Sequence, residues 1–135
     1  MKKLIIIVLT IVSCMTVTAQ EQNEAALVVE AQITAYNAGN LEAFAATYSD
    51  DVVFYEPSMQ KSIQGKAQLK ELFGNLFKNN PDLHCFIDQR IVSGDTVIDH
   101  EKVQIRKGQP LLEFVAMYKV KEGKIAEVYF LKRPN

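Results

Sequence analysis

Asp99 and Glu101 stand two residues apart in the run Thr96-Val97-Ile98-Asp99-His100-Glu101-Lys102-Val103-Gln104-Ile105. Val97, Val103 and Ile105 mark one face of an extended strand, because side chains alternate between faces with a period of two. On that alternation the two carboxylates share the apolar face. Acids held in a nonpolar hollow repel each other and lose hydration, so at least one binds its proton more tightly than usual. A carboxyl tuned in this way serves as a general acid or base. A second register is open: a β-bulge in a long curved strand would turn both acids to solvent and bring Ile98 and His100 inward, with His100 as a hydrogen-bonded wall residue. A third carboxylate, Glu56, ends the run Asp51-Val52-Val53-Phe54-Tyr55 and precedes Pro57, whose fixed φ restricts the turn that carries it. Tyr36, Tyr55 and Tyr118 each offer a hydroxyl donor or an amphipathic wall.

The elements that must position these groups can be read from periodicity. Val29, Gln32, Ile33 and Tyr36 fall on one helical stripe that starts near Ala25. Gly39 suits the left-handed position that ends a helix, and Asn40 can cap the next. Leu41, Phe44, Ala45 and Tyr48 form the buried stripe of that second helix. A strand follows over Asp51 to Glu56, then a loop over Ser58 to Gln64. A third helix spans Lys66 to Lys78 with Leu69, Leu72, Phe73 and Leu76 as its apolar face, and Asn79-Asn80-Pro81 stops it. Four strands come next: Leu83 to Val92, Thr96 to Arg106, Leu111 to Lys121 and Ile125 to Arg133. Their connecting turns are short, so neighbours must be antiparallel. Leu112, Phe114, Ala116, Tyr118 and Val120 share the inward face of the third, and Val128 and Phe130 join them from the last. Ile125, Tyr129 and Leu131 fall on the other face, either as a dimer patch or beneath a local loop.

The chain has 135 residues and a formal net charge of −1, enough for one domain and no basis for an electrostatic nucleic-acid partner. Lys2 and Lys3 precede the apolar run Leu4 to Val12, followed by Val17-Thr18-Ala19. This is the pattern of a secretory signal peptide cut after Ala19, with an apolar stretch too short to span a membrane. Residues 1–19 are thus expected as a leader and 20–135 as a single domain that works in the periplasm or outside the cell. Ile11-Val12-Ser13-Cys14 also reads as a lipobox, the alternative being a lipid anchor on Cys14. After cleavage only Cys85 remains, so no intramolecular disulfide can form, and its apolar neighbours suggest an inert thiol. No cofactor or metal is expected: the chain has no P-loop, Gly-rich dinucleotide turn or nucleophile elbow, and His84 and His100 lie in separate strands without a nearby ligand pair.

Asn37-Ala38-Gly39, Asp50-Asp51, Ile63-x-Gly65-Lys66 and Gly123-Lys124-Ile125 occur in an order and spacing that resembles the nuclear-transport-factor-2-like (NTF2-like) superfamily, with its SnoaL-like polyketide cyclases and ketosteroid isomerases. The resemblance covers Glu24 to Arg133. It implies a cone-shaped α+β fold, with three N-terminal helices packed on a curved antiparallel sheet around an apolar pocket. It also places Glu56 where the isomerases carry a proton-shuttling carboxylate. Those enzymes hold the developing oxyanion with a tyrosine and a protonated aspartic acid. Here the matching positions are Gln32 and Ala116, and alanine offers no donor, so steroid isomerisation is not expected.

Three functions follow as expectations. The first is a secreted, cofactor-free isomerase, cyclase or dehydratase using Glu56, or Asp99 with Glu101, on a small apolar carbonyl compound. The second is a module that binds a small hydrophobic molecule unchanged, lined by Gln32, Tyr36, Tyr55, Phe73, His100, Phe114, Ala116, Tyr118, Val128 and Phe130. The third is an association domain that forms a homodimer through the sheet face.

Overall fold

The computed structural model describes residues 23–132. The leader expected at residues 1–19, its alternative at Cys14 and the strand end expected at Arg133 lie outside the described residues. Helix α1 (Glu24–Asn37) begins where the Asn23 side chain accepts a hydrogen bond from the Ala26 amide at 3.1 Å. That bond satisfies one of the donors a first helical turn leaves unpaired. Ala25, Val29, Gln32, Ile33 and Ala35 form its buried side. The helix ends next to Gly39, whose φ of +62° lies in the left-handed region that glycine enters without a Cβ clash. Asn40 then caps α2 (Leu41–Ala46) by accepting from the Ala43 amide at 3.1 Å. Phe44 and Ala45 are buried as their spacing predicts. Tyr48, expected on the same helix, instead opens the first strand, although its ring is still buried.

Strand β1 (Tyr48–Tyr55) forms a hairpin with β2 (Lys61–Gln64), which occupies much of the segment expected as a loop. Ile63 explains the short strand: it pairs with Phe54 and is buried against the core. Helix α3 (Lys66–Asn79) follows. Three helices do precede the meander, but the β1–β2 hairpin separates the third from the first two. The chain then runs through β3 (His84–Ser93), β4 (Thr96–Gln104), β5 (Leu112–Lys121) and β6 (Lys124–Lys132), all antiparallel in succession.

The strands join in one sheet of order β2-β1-β6-β5-β4-β3. Here the expectation of an antiparallel sheet is corrected, because β1 lies beside β6 and parallel to it. Short turns dictate direction only for the strands they join, and β1 and β6 are linked through most of the domain. Register shifts interrupt four of the strand pairings, a device that bends strands and curls a sheet. One of them, between Lys119 and Val120 opposite β6, changes which side chains of β6 face inward. Ile125 is consequently buried together with Val128, and only Tyr129 and Leu131 keep the outward placement expected of all three.

The helices cover the concave face. Phe44 of α2 packs against Phe73 of α3 with ring centroids 4.6 Å apart and the rings tilted, and Tyr48 and Phe54 of β1 continue the aromatic cluster. Asn37, at the end of α1, ties this layer to the edge of the sheet. Its side-chain nitrogen donates to the Cys85 carbonyl at 3.0 Å, and its oxygen accepts from the Cys85 amide at 2.7 Å. β3 is an edge strand, so these two backbone groups have no neighbouring strand to pair with. Asn37→Ala is expected to lower stability by about 1–3 kcal/mol, the usual cost of orphaning partly buried backbone groups. A lower urea midpoint with unchanged slope would register it.

Candidate active site

Between the helices and the curled sheet lies a cavity of about 250 Å³. Every layer contributes to its wall: Gln32, Ile33 and Tyr36 from α1, Tyr48 and Phe54 from β1, Phe73 and Leu76 from α3, and Glu101, Phe114, Tyr118, Val128 and Phe130 from the meander. The wall is graded. Gln32, Tyr48, Glu101 and Tyr118 are buried, together with the apolar Ile33, Phe54, Cys85, Val103 and Val128, whereas Tyr36, Phe73, Leu76, Ile105, Phe114 and Phe130 are half-buried. Four polar liners thus share the buried end with apolar neighbours, and the more exposed wall is apolar apart from Tyr36.

The inward register of β4 is the one its alternation gives: Val97, Asp99, Glu101 and Val103 are all buried. A bulge does occur nearby, but on the neighbouring strand between Ile87 and Gln89, and it leaves β4 unbroken. The two acids nevertheless part company. Asp99 is fully buried and does not line the cavity; Arg90 donates to both of its oxygens, from Nε at 2.7 Å and from a terminal nitrogen at 2.8 Å. Arg90 also reaches Glu30 on α1 at 2.8 Å. The hydrogen bonds to Asp99 hold the guanidinium well above its ordinary proton affinity, against the opposing effect of burial. Asp99 is thus neutralised in an ion pair that joins β3, β4 and α1.

Glu101 faces the cavity, and its partner there is Tyr118, whose hydroxyl donates to Glu101 Oε1 at 2.5 Å. Burial pushes the Glu101 carboxyl up to about 7; the Tyr118 hydrogen bond and Arg90 work against that rise, and Asp99 adds to it. Burial and then the Glu101 charge push the Tyr48 and Tyr118 hydroxyls well above their ordinary range, so both stay protonated. Burial likewise raises the Cys85 thiol, which keeps it un-ionised and poorly nucleophilic. The Gln32 amide lies against the Tyr48 hydroxyl, and its Oε1 is buried without a hydrogen-bond partner. The result is a carboxyl present in both protonation states near neutral pH, beside fixed donors and one open acceptor. Such a group can take or return a proton.

Gln32, Tyr36, Phe73, Phe114, Tyr118, Val128, Phe130 and Glu101 are brought together at the cavity, and the remaining sequence candidates are elsewhere. Ala116 is fully buried in the sheet but outside the lining, because its methyl group is too short to reach the hollow. Tyr55 is outside because it points from the convex face, where it stacks on Tyr129 at 4.6 Å. His100 shares that face, by the alternation that turns Glu101 inward, and lies 3.2 Å from Asp88 and 3.5 Å from Glu113. Glu56 begins the turn between β1 and β2, where its carbonyl accepts from the Met59 amide and its own amide donates to Gln60, both at 2.8 Å. It is half-buried and not part of the cavity wall. Among the described residues no cluster of metal-ligating side chains occurs.

Sequence reasoning missed Arg90, Tyr48 and the Tyr118–Glu101 bond. Arg90 had a usable signal. Counting outward from the Ser93-Gly94-Asp95 turn sets Ser93 against Thr96 and Arg90 directly opposite Asp99.

The model of the SnoaL-like domain family matches residues 29–128, and the chain belongs to that family. Solved structures share the fold. An uncharacterized cystatin fold protein of Novosphingobium aromaticivorans superposes with a TM-score of 0.71 at 23% identity, over 82% of this chain and 99% of its own. A SnoaL-like protein of Burkholderia thailandensis gives 0.67 at 19% identity, over 81% and 93%. A computationally designed 17-OHP binder gives 0.71 at 16% identity, over 83% and 93%. No curated protein matches the sequence.

Proposed function

We propose that this domain takes a small hydrophobic carbonyl compound into its cavity and moves a proton on it with Glu101, without a cofactor. The observation that carries the reading is the Glu101 carboxyl at the blind end of an apolar hollow, bonded to Tyr118 and tuned to about 7. The carboxylate form abstracts a proton next to a carbonyl, and the acid form returns one. Isomerase, cyclase and dehydratase steps all need that exchange of protons. At about 250 Å³ the hollow exceeds the ~150 Å³ that suffices for benzene and falls short of the usual ~300–1,000 Å³ of drug-sized pockets. One or two fused rings fit this size better than a four-ring skeleton.

The test needs no knowledge of the natural substrate. Ring ketones such as 2-tetralone carry exchangeable protons beside the carbonyl, and their replacement by deuterium in D₂O can be followed by NMR. The protein should accelerate that exchange, with the rate rising as pH passes through 7, and Glu101→Gln should lose at least a hundredfold, within the usual range for a general base. Loss of exchange in Glu56→Gln, with Glu101→Gln still active, would return the role to the turn carboxylate. A ketone that binds without any accelerated exchange would leave simple ligand capture, a reading the apolar wall also supports and one for which the designed 17-OHP binder is a structural parallel.

Two further features belong to this reading. Residues 1–19 act as a signal peptide that places the domain in the periplasm or outside the cell, with lipidation at Cys14 as the alternative; the mass of the mature N-terminus decides between them. The convex sheet face carries Tyr55, Tyr129, Met117, Ile98 and Ile91 in line across β1, β6, β5, β4 and β3. That apolar row, with Leu131 exposed beside it, supports a homodimer through the sheet, and a monomer by light scattering at micromolar concentration would remove it.

A further inference from the structure

We infer that the blind end of the cavity reads a hydroxyl group: the one- or two-ring carbonyl compound proposed above also carries a phenol or carbinol O–H, or presents one as its enol, and that O–H donates to Gln32 Oε1. This deepens the proposed function and rests on the same cavity.

Gln32 sits on the buried side of α1, 4% exposed, and its side chain lines the hollow. Its Oε1 accepts nothing from the protein. A buried amide oxygen without a donor costs about 1–3 kcal/mol, so it marks a place where a partner is missing. The Tyr118 hydroxyl is committed to Glu101, and the Tyr48 hydroxyl meets the nitrogen end of the same Gln32 amide, from which it accepts. Apart from Tyr36, the remaining wall is aromatic and aliphatic carbon with the Cys85 thiol. An occupant of the cavity that carries a donor can supply what Gln32 Oε1 lacks.

Geometry narrows the chemistry. The four buried polar groups lie at the closed end and the more exposed wall is carbon apart from Tyr36, so the occupant enters with its polar group leading and leaves an apolar body against Phe73, Phe114 and Phe130. A charged ammonium would lose its hydration in an apolar passage and, below pH 7, would meet a Glu101 carboxyl that is mostly protonated and cannot compensate it. A bare ketone or ether brings only acceptors and leaves Gln32 Oε1 unpaired. A hydroxyl brings one donor for Gln32, and its oxygen remains free to accept from a protonated carboxyl. Sites that hydrogen-bond a hydroxyl discriminate strongly against analogues lacking it, because their own buried groups are then left unmatched.

Three probes of nearly equal shape test this: 2-naphthol, which donates and accepts; 2-methoxynaphthalene, which only accepts; and naphthalene, which does neither. Dissociation constants are measured by calorimetry at pH 6 for the wild type and for Gln32→Met, which keeps the side-chain length. We expect 2-naphthol to bind the wild type at least tenfold more tightly than 2-methoxynaphthalene. In Gln32→Met that preference should fall below threefold, while naphthalene keeps its affinity and so reports an intact cavity. Equal binding of naphthol and its methyl ether by the wild type overturns the inference and leaves the small-molecule cavity standing. So does a naphthol preference that survives Gln32→Met. Failure of all three probes to bind overturns the cavity reading and the inference together. The wild-type ratio decides even if Gln32→Met does not fold.

Discussion

Replacing Arg90 with leucine should destabilise the domain by about 3–5 kcal/mol, the cost of leaving a buried charge without its partner. Asp99 is fully buried, and Arg90 occupies both of its oxygens. Leucine offers no donor in place of the guanidinium, and the Asp99 side chain has no exposed surface of its own. The contact on the other side of the guanidinium is different in kind, because the Glu30 side chain is 62% exposed. Removing it with Glu30→Gln should cost less than about 1 kcal/mol, the usual worth of a solvent-screened pair. Replacing both members of the inner pair, as in Arg90→Leu with Asp99→Leu, should recover most of the loss, since buried ion pairs contribute little net stability over well-packed apolar groups. Urea unfolding of the wild type and the three variants at pH 7 measures all of this. A loss under 1 kcal/mol in Arg90→Leu would mean that Asp99 is not held as described.

Glu101→Gln should do the opposite, and only on one side of the pH scale. The carboxyl holds its proton more tightly folded than unfolded, with a folded value of about 7 against an ordinary 4.5. Between those values the native state binds more protons than the unfolded state, so stability falls as pH rises. The favourable contribution is complete below the unfolded value and is lost once pH passes the folded one. Glutamine carries no such penalty and can still accept from Tyr118. At pH 8 the variant should be more stable than wild type by on the order of 3 kcal/mol, and at pH 4 the two should coincide. Stabilisation at pH 8 together with loss of proton exchange would fit the common pattern in which active sites are built at the expense of stability. Thermal unfolding across pH 4–8 reads the difference directly.

The parts of the fold that periodicity governs were legible. The stripe on α1 and the antiparallel meander follow from spacing alone. Leu69, Phe73 and Leu76 take the core side of α3 as expected, but Leu72, expected with them, is exposed. Alternation offers the inward placement of Asp99 and Glu101 as one of two registers, and it is the one adopted. What was not legible depends on contacts between distant segments. Nothing local to β1 announces that it will pair in parallel with β6, and nothing in the run Ile125 to Leu131 announces the register shift that buries Ile125. The site divides in the same way. Glu101 could be nominated from alternation, but its separation from Asp99 in role needed Arg90 on the next strand. Tyr118 reads from sequence as a donor or a wall residue, but the carboxyl that its hydroxyl meets lies on another strand and is not readable from spacing. Glu56 was attractive because Pro57 fixes its turn, and the turn is there, but the cavity closes on other residues.

A buried acid at the end of a carbon-walled hollow carries the proposed chemistry. Its most direct test is the titration of the Glu101 side-chain carboxyl by ¹³C NMR, assigned by comparison with Glu101→Gln. An apparent pKa near 7 is predicted, well separated from the surface carboxylates. A Glu101 resonance that titrates near 4.5 with the rest would contradict it, for it would place that carboxyl in water and leave the cavity without its acid.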